Sequence, residues 1–109
     1  MAPIGIISGT VLHGASVFKG LRKEHVVNEF GRVTVWVSRE IAHISRHDRD
    51  PGDYVLPHLI NHQANLTALK ALGIRDVVAV NSTGSLKKGL PPGSIVVPDD
   101  FILLADTPT

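Results

Sequence analysis

The sequence predicts an α/β fold, and apolar segments that each run into a polar loop carry this prediction. Residues 4–7, 41–44 and 77–80 are apolar runs with a single histidine among them. Runs of this length are typical of strands that are covered on both faces, as in parallel sheets. The polar loops that follow the runs are Ser8–Thr10, Ser45–His47 and Asn81–Ser85. We therefore expect a sheet that carries short polar loops at its strand ends.

Further strands are predicted outside these apolar runs. Residues 25–28 and 33–37 are enriched in β-branched and aromatic residues and flank a turn around Gly31, which predicts a hairpin. The glycine-containing segment 11–22 before the hairpin predicts a loop with a short helical piece. Near the end of the chain, Ser94–Val97 is predicted as another strand, because a rigid Pro-Gly turn precedes it and Pro98 ends it.

A helix is predicted between the second and third apolar runs. Residues 47–57 are polar and contain proline and glycine, so they predict a surface loop. The helix is expected over residues 58–72 and ends at Gly73, because glycine readily adopts the left-handed backbone of a C′ residue. We expect Asn61 and Asn65 to hydrogen-bond neighbouring backbone, since unsatisfied buried amides are costly.

The polar loops have a composition that suits an anion. In open α/β sheets, ligands collect at the carboxyl ends of the strands. If the three loops lie together there, they bring small hydroxyl groups, backbone N–H groups and the guanidinium of Arg46 to one point. This combination of donors fits phosphate. The sequence therefore predicts a phosphate site.

Composition limits the classes of function. The chain has 109 residues, 43% of them hydrophobic and 19% charged, which predicts one domain with a modest core. The net charge is +1 without a basic cluster, so nucleic-acid binding has little support. There is no cysteine for disulfide or thiolate chemistry. No apolar stretch approaches a membrane span and no signal peptide is evident, so we expect a cytoplasmic protein.

Six segments of the sequence also match, in order, the motifs of a known family. The first segment, I-G-I-I-S-G-T, resembles the opening I-G-I-I-G-G-T-G of the trimeric purine nucleoside phosphorylase and methylthioadenosine phosphorylase family. The segments that carry the resemblance are Ile4–Thr10, Ser45–His47, Pro57–Asn65, Ala68–Gly73, Asn81–Leu86 and Pro92–Ile102. One such match would be weak, whereas six in the same order at similar spacing are specific.

The resemblance implies a fold, an activity and an assembly. The implied fold has three α/β/α layers with a mixed central sheet, and residues 1–109 form the N-terminal part of its single domain. The implied reaction is phosphorolysis of a purine nucleoside to the free base and ribose 1-phosphate. Methylthioadenosine or methylthioinosine is favoured as the substrate, with 6-oxopurine nucleosides next. The resemblance implies no cofactor or metal, and inorganic phosphate takes part as a co-substrate. A homo-oligomer, trimeric or hexameric, is expected.

The resemblance also implies roles for individual residues. The implied phosphate-binding residues are Thr10, Arg46, His47, Asn81 and Ser82. The residues implied to lie near the base and sugar are Thr83 and Gly84. The chain departs from the family pattern where Ser8, Val11 and Asp48 replace glycines and where His62 replaces tyrosine, and its loop before Asn61 is longer than in the pattern.

Two alternative functions are open at this point. A metal-dependent phosphohydrolase would use histidines and aspartates clustered in the sequence, namely His43, His47, Asp48, Asp50, Asp53, His58 and His62. The strand-rich order of elements argues against this class, which is mainly helical. A non-catalytic nucleoside-binding or assembly module is the second alternative, because family members are more than twice as long as this chain.

Overall fold

The computed structural model describes residues 3–9, 12, 14–48 and 52–104. Its strands and helix are β1 (Ile4–Ser8), β2 (Arg22–Asn28), β3 (Gly31–Val37), β4 (Ile41–Ser45), α1 (His62–Ala71) and β5 (Asp76–Val80). Single turns of 3-10 helix are present at Ser16–Phe18 and Pro57–Leu59. The predicted apolar strands, the hairpin and the short helical piece before it are therefore confirmed.

The strands form one mixed sheet in the order β2-β3-β4-β1-β5. Strand β1 lies between β4 and β5 and is parallel to both, while β3 is antiparallel to its neighbours β2 and β4. The hairpin thus extends a parallel three-stranded sheet on one side. This arrangement confirms the predicted mixed sheet.

Helix α1 covers one face of the sheet and closes the core. Its buried residues are Ala64, Ala68 and Leu69. They pack against Val33, Val35, Ala42, Ile44 and Ile74. Gly5 of β1 lies under this contact, since a Cβ there would be 3.0 Å from Cγ2 of Ile74 and 3.2 Å from Cδ1 of Leu69. The small residues at the contact let the helix approach the sheet closely.

The ends of α1 are defined by local hydrogen bonds. Asn61 is the N-cap, because its side-chain oxygen accepts from the N–H of Ala64 at 3.1 Å, and its amide nitrogen donates to the Phe30 carbonyl at 2.7 Å. At the other end Gly73 has a φ of +80°. The N–H groups of Gly73 and Ile74 bond back into the last turn, as in a Schellman motif. The predicted glycine stop and the predicted role of Asn61 are confirmed.

Two predicted elements differ in the structure. The helix was expected from residue 58, but Pro57–Leu59 forms a separate 3-10 turn and α1 begins at His62, directly after its cap. The strand predicted at Ser94–Val97 is not formed, and Ile95 and Val97 are almost fully exposed. A β-strand needs a hydrogen-bonded partner, and no described segment pairs with this one.

Within the described ranges, no helix is both long enough and apolar enough to cross a membrane.

Candidate functional site

The strand register places the carboxyl ends of β1, β4 and β5 side by side. Ser8, the last residue of β1, pairs with Ser45 of β4 on one side and with Val80 of β5 on the other. The chain therefore leaves all three strands at the same level. This juxtaposition is the one that the sequence predicts for the three polar loops.

Arg46 connects the three strand ends. Its backbone N–H donates to the Ser8 carbonyl at 2.9 Å, and its Nη1 donates to the Val80 carbonyl at 2.8 Å. Its guanidinium lies over Gly9, because a Cβ at that position would be only 2.5 Å from Nη2 and 2.9 Å from Cζ. A larger residue at position 9 would therefore displace the Arg46 guanidinium. Among the described residues, the Val80 carbonyl takes one of the five donors of this guanidinium, which leaves the rest of the fork for a ligand.

His47 is held by the loop that follows it. Its Nδ1 lies 3.1 Å from the Val55 carbonyl, and its ring stacks on Tyr54 with the centroids 5.2 Å apart. A carbonyl only accepts hydrogen bonds, so Nδ1 carries a proton in this contact. The other ring nitrogen, Nε2, accepts from a hydroxyl when the imidazole is neutral and donates to an anion when it is protonated.

Asp48, the acidic residue beside this pair, is turned back to β4. The Ser45 hydroxyl donates to Oδ2 of Asp48 at 3.0 Å. Asp48 lines a cavity of about 360 Å³ that also includes Arg32, Asn61 and Asn65. His47 does not line that cavity, whereas Arg46 lines it and the neighbouring one as well. Arg46, Ile60 and Asn65 line both cavities, so the two cavities are neighbours, and Asp48 lines only the first of them.

The second cavity brings predicted site residues together. It has a volume of about 430 Å³, and its polar lining consists of Arg46, His47, His62, Asn65 and Asn81. Apolar side chains complete its wall, namely Ile7, Pro57, Ile60, Leu66 and Ala79. Of the predicted phosphate-binding residues, Arg46, His47 and Asn81 thus share one cavity.

The other predicted residues lie elsewhere. Ser82 is exposed and does not line this cavity, although it directly follows Asn81. Thr83 and Gly84 line a separate, open groove together with residues 85–88, 90–94 and 96. Thr10 lies outside the described residues. The sequence analysis assigned no phosphate-site role to His62 and Asn65, although both belong to the motif segment Pro57–Asn65.

The described residues do not form the metal site of the alternative hypothesis. They contain no group of three or more histidine, aspartate or glutamate side chains that could hold a metal ion. His58 and His62 were expected to share a helix face, but His58 belongs to the 3-10 turn and only His62 belongs to α1. Asp50 lies outside the described part of the chain.

Comparisons with known proteins agree with this fold. The family model of the Phosphorylase superfamily matches residues 3–107. The chain therefore belongs to this superfamily, and within it to the family of purine nucleoside and methylthioadenosine phosphorylases whose motifs it carries.

Individual relatives support this assignment. The chain is 39% identical over 105 residues to a probable S-methyl-5'-thioinosine phosphorylase of Methanothermobacter thermautotrophicus, covering 91% of this chain and 37% of the relative. It is 36% identical over 107 residues to the S-methyl-5'-thioadenosine phosphorylase of Saccharolobus solfataricus, covering 93% and 39%. The chain thus spans little more than a third of the length of these relatives.

A solved structure confirms the fold. Methylthioadenosine phosphorylase from Schistosoma mansoni in complex with adenine superposes with a TM-score of 0.72 at 30% identity. The match covers 85% of this chain and 35% of that one. The predicted phosphorylase-type fold is therefore confirmed for the part of the fold that the chain spans.

Proposed function

We propose that the protein, in its natural length, catalyses phosphorolysis of the N-glycosidic bond of a purine nucleoside. A phosphate oxygen would bond to C1′ of the ribose as the C1′–N bond breaks, and the base would leave with the bonding electron pair and take up a proton. The products are the free base and ribose 1-phosphate. The observation that carries the proposal is the Arg46 guanidinium, fixed where three parallel strands end.

The chemistry of the reaction explains why such a group is needed. As the glycosidic bond breaks, the sugar gains oxocarbenium character, and a phosphate dianion held beneath it serves as counter-charge and nucleophile. Catalysis then depends mainly on positioning. A guanidinium suits this task, because its planar fork can engage two phosphate oxygens through charge-assisted hydrogen bonds. The Val80 hydrogen bond and the contact with Gly9 limit the movement of that fork.

The other residues take roles that follow their positions. Asn81 shares the Arg46 cavity and would donate to the phosphate. His47 would reach the anion or a sugar hydroxyl through Nε2, since Nδ1 serves Val55. Thr10 and Ser82 would complete the phosphate site from the loops after β1 and β5. Thr83 and Gly84 would then lie toward the base and sugar.

Methylthioadenosine or methylthioinosine is the proposed substrate, with 6-oxopurine nucleosides next. The names of the relatives support this choice, since they include both a probable methylthioinosine phosphorylase and methylthioadenosine phosphorylases. Phosphate is the co-substrate, and no metal or cofactor takes part in the proposed reaction.

We further propose that residues 1–109 are the N-terminal part of one domain that assembles into a homo-oligomer, a trimer or a hexamer. The exposed apolar side chains of Ile95, Phe101 and Leu104 support this proposal, because such surfaces are normally covered. Light scattering on the protein in its natural length should give the mass of a closed oligomer. A stable monomer at high concentration would contradict the proposed assembly.

The function is tested by product analysis. The protein in its natural length is incubated with methylthioadenosine, methylthioinosine or inosine, with and without inorganic phosphate, and the base and ribose 1-phosphate are quantified by chromatography. We expect base release only with phosphate, in equal amounts with ribose 1-phosphate. Base release at the same rate without phosphate would identify a hydrolase and refute the proposal.

A non-catalytic nucleoside-binding module is the second candidate. It is favoured because the chain spans little more than a third of the length of its relatives. Calorimetry separates the two functions. A module would bind nucleoside without forming base under any phosphate concentration, whereas an enzyme would turn the nucleoside over during the titration.

A further inference from the structure

A buried imidazole lies beneath the end of β1, outside the cavity that holds Arg46. His43 of β4 is 7% exposed and lies on the face of the sheet opposite α1. Its cross-strand neighbours are Ile6 of β1 and Trp36 of β3. A polar ring in such surroundings is costly unless it is hydrogen-bonded.

Ser8 provides this hydrogen bond. Its Oγ lies 2.7 Å from Nε2 of His43, and Ser8 itself is fully buried. The family pattern has glycine at this position, and a glycine has no hydroxyl for the contact. The pair of Ser8 and His43 is therefore a feature of this chain, which the family motif does not provide.

The face of the His43 ring makes a second contact. Phe18, in the 3-10 turn Ser16–Phe18, stacks on it with the ring centroids 3.8 Å apart and the planes 8° from parallel. Ser8 precedes the connection between β1 and β2, and Phe18 stands near its far end. His43 thus contacts both ends of the connection that begins with Gly9.

The contact with Ser8 is coupled to Arg46 through the backbone. The Ser8 carbonyl accepts the Arg46 N–H at 2.9 Å, and the next residue, Gly9, lies under the Arg46 guanidinium. A shift of Ser8 would therefore move both the backbone of Arg46 and the surface of Gly9 against which the guanidinium rests.

We propose that His43 is a positioning residue of the phosphate site: through Ser8 and Phe18 it fixes the end of β1, so that Gly9 holds the Arg46 guanidinium in place. This inference rests on the proposed function. His43 does not touch the ligand, and its effect is on the placement of Arg46.

Kinetics of the protein in its natural length test the proposal. His43→Phe keeps an aromatic ring for Phe18 but removes the hydrogen bond, and Ser8→Ala removes the same bond from the other side. Loss of one neutral hydrogen bond can raise the phosphate KM by about tenfold at most. We therefore expect each variant to raise the phosphate KM about fivefold and to change the nucleoside KM less than twofold. His43→Gln, whose amide can still reach Ser8, should restore at least half of the loss.

His25→Phe is the matched control. His25 also bonds a neighbouring strand, with Nδ1 at 3.2 Å from Oγ1 of Thr34, but it lies on β2, away from Arg46. We expect its phosphate KM to be unchanged. Equal changes in both Michaelis constants, or an unchanged phosphate KM in folded His43→Phe and Ser8→Ala, would overturn the proposal.

Hydrogen exchange gives a readout that does not depend on activity. The amides of Arg46, Phe18 and Lys19 are hydrogen-bonded around this contact. We expect them to exchange at least tenfold faster in Ser8→Ala than in the unaltered protein, while the amides of Ala68 and Leu69 in α1 keep their rates. Uniform acceleration of all these amides, or none, would refute the positioning role. If exchange changes as expected but the unaltered protein has no phosphorolytic activity, the proposed function fails and the structural coupling stands.

Discussion

Gly9→Ala tests the placement of Arg46 most directly. The new methyl group would lie 2.5 Å from Nη2 of Arg46 and 2.9 Å from Cζ. Ordinary contact requires about 3.5 Å, so the guanidinium must retreat by roughly 1 Å. A retreat of this size along the direction of the Val80 hydrogen bond would lengthen it from 2.8 Å to beyond hydrogen-bonding range.

The expected effect falls on phosphate binding more than on folding. The clash involves the end of a flexible side chain, so the backbone can stay in place, and the half-buried Val80 hydrogen bond contributes about 1 kcal/mol to the free energy of unfolding. A displaced fork loses at least one charge-assisted bond to phosphate, about 1.5 to 3 kcal/mol. At 1.4 kcal/mol per decade, the phosphate KM should rise tenfold or more.

The assay measures the phosphate KM at saturating nucleoside, together with a thermal melt without phosphate. Gly89→Ala is the matched control, because a Cβ at Gly89 meets no atom within 4 Å. We expect this control to behave as the unaltered protein. If folded Gly9→Ala keeps the original phosphate KM, then Arg46 either does not bind phosphate or is not held against Gly9, and the reasoning fails.

Three further predictions concern the Arg46 side chain, the N-cap of α1 and the dependence of activity on a metal. Arg46→Lys keeps the positive charge but loses the planar guanidinium, so the phosphate KM should rise about tenfold, and further in Arg46→Ala. The melting temperature of both variants should be nearly unchanged. An unaltered dependence of the rate on phosphate would place the phosphate site elsewhere. Asn61→Ala removes both the N-cap bond and the bond to Phe30, so urea titrations should show a free energy of unfolding lower by about 2 kcal/mol. Asn61→Asp keeps the cap but not the Phe30 bond, so its loss should be about half as large. Equal losses in the two variants would show that the cap contributes nothing. Exhaustive chelation should leave phosphorolysis unchanged, whereas loss of activity that zinc restores would support the metal-dependent alternative.

The elements that the sequence predicts well are those set by local pattern. The apolar runs, the hairpin around Gly31 and the glycine stop of the helix each depend on residues close together in the chain. The convergence of the three loops was also predictable, because parallel strands of an α/β sheet end at one edge. The start of α1 was predicted too early, although Asn61 is a typical N-cap residue and could have indicated it.

Contacts between distant residues account for what the sequence did not predict. The hydrogen bond of Arg46 to the Val80 carbonyl and its contact with Gly9 depend on strand order and register. The hydrogen bond between Ser8 and His43 is only weakly indicated in the sequence, by two polar residues in otherwise apolar strands. The run Ser94–Val97 has strand-forming composition, yet composition cannot supply a pairing partner.

The register of β4 against β1 constrains where the chain can change in length. Side chains alternate between the two faces of a sheet, and His43 lies on one face while Arg46 lies on the other. Insertion of a single residue between His43 and Arg46 would turn Arg46 to the face of His43, so that it would no longer reach Gly9. A two-residue insertion would restore the face of Arg46 but shift its level along the strand. Insertions after Asp48 leave the register intact. Length differences among relatives should therefore accumulate in the loop between β4 and α1.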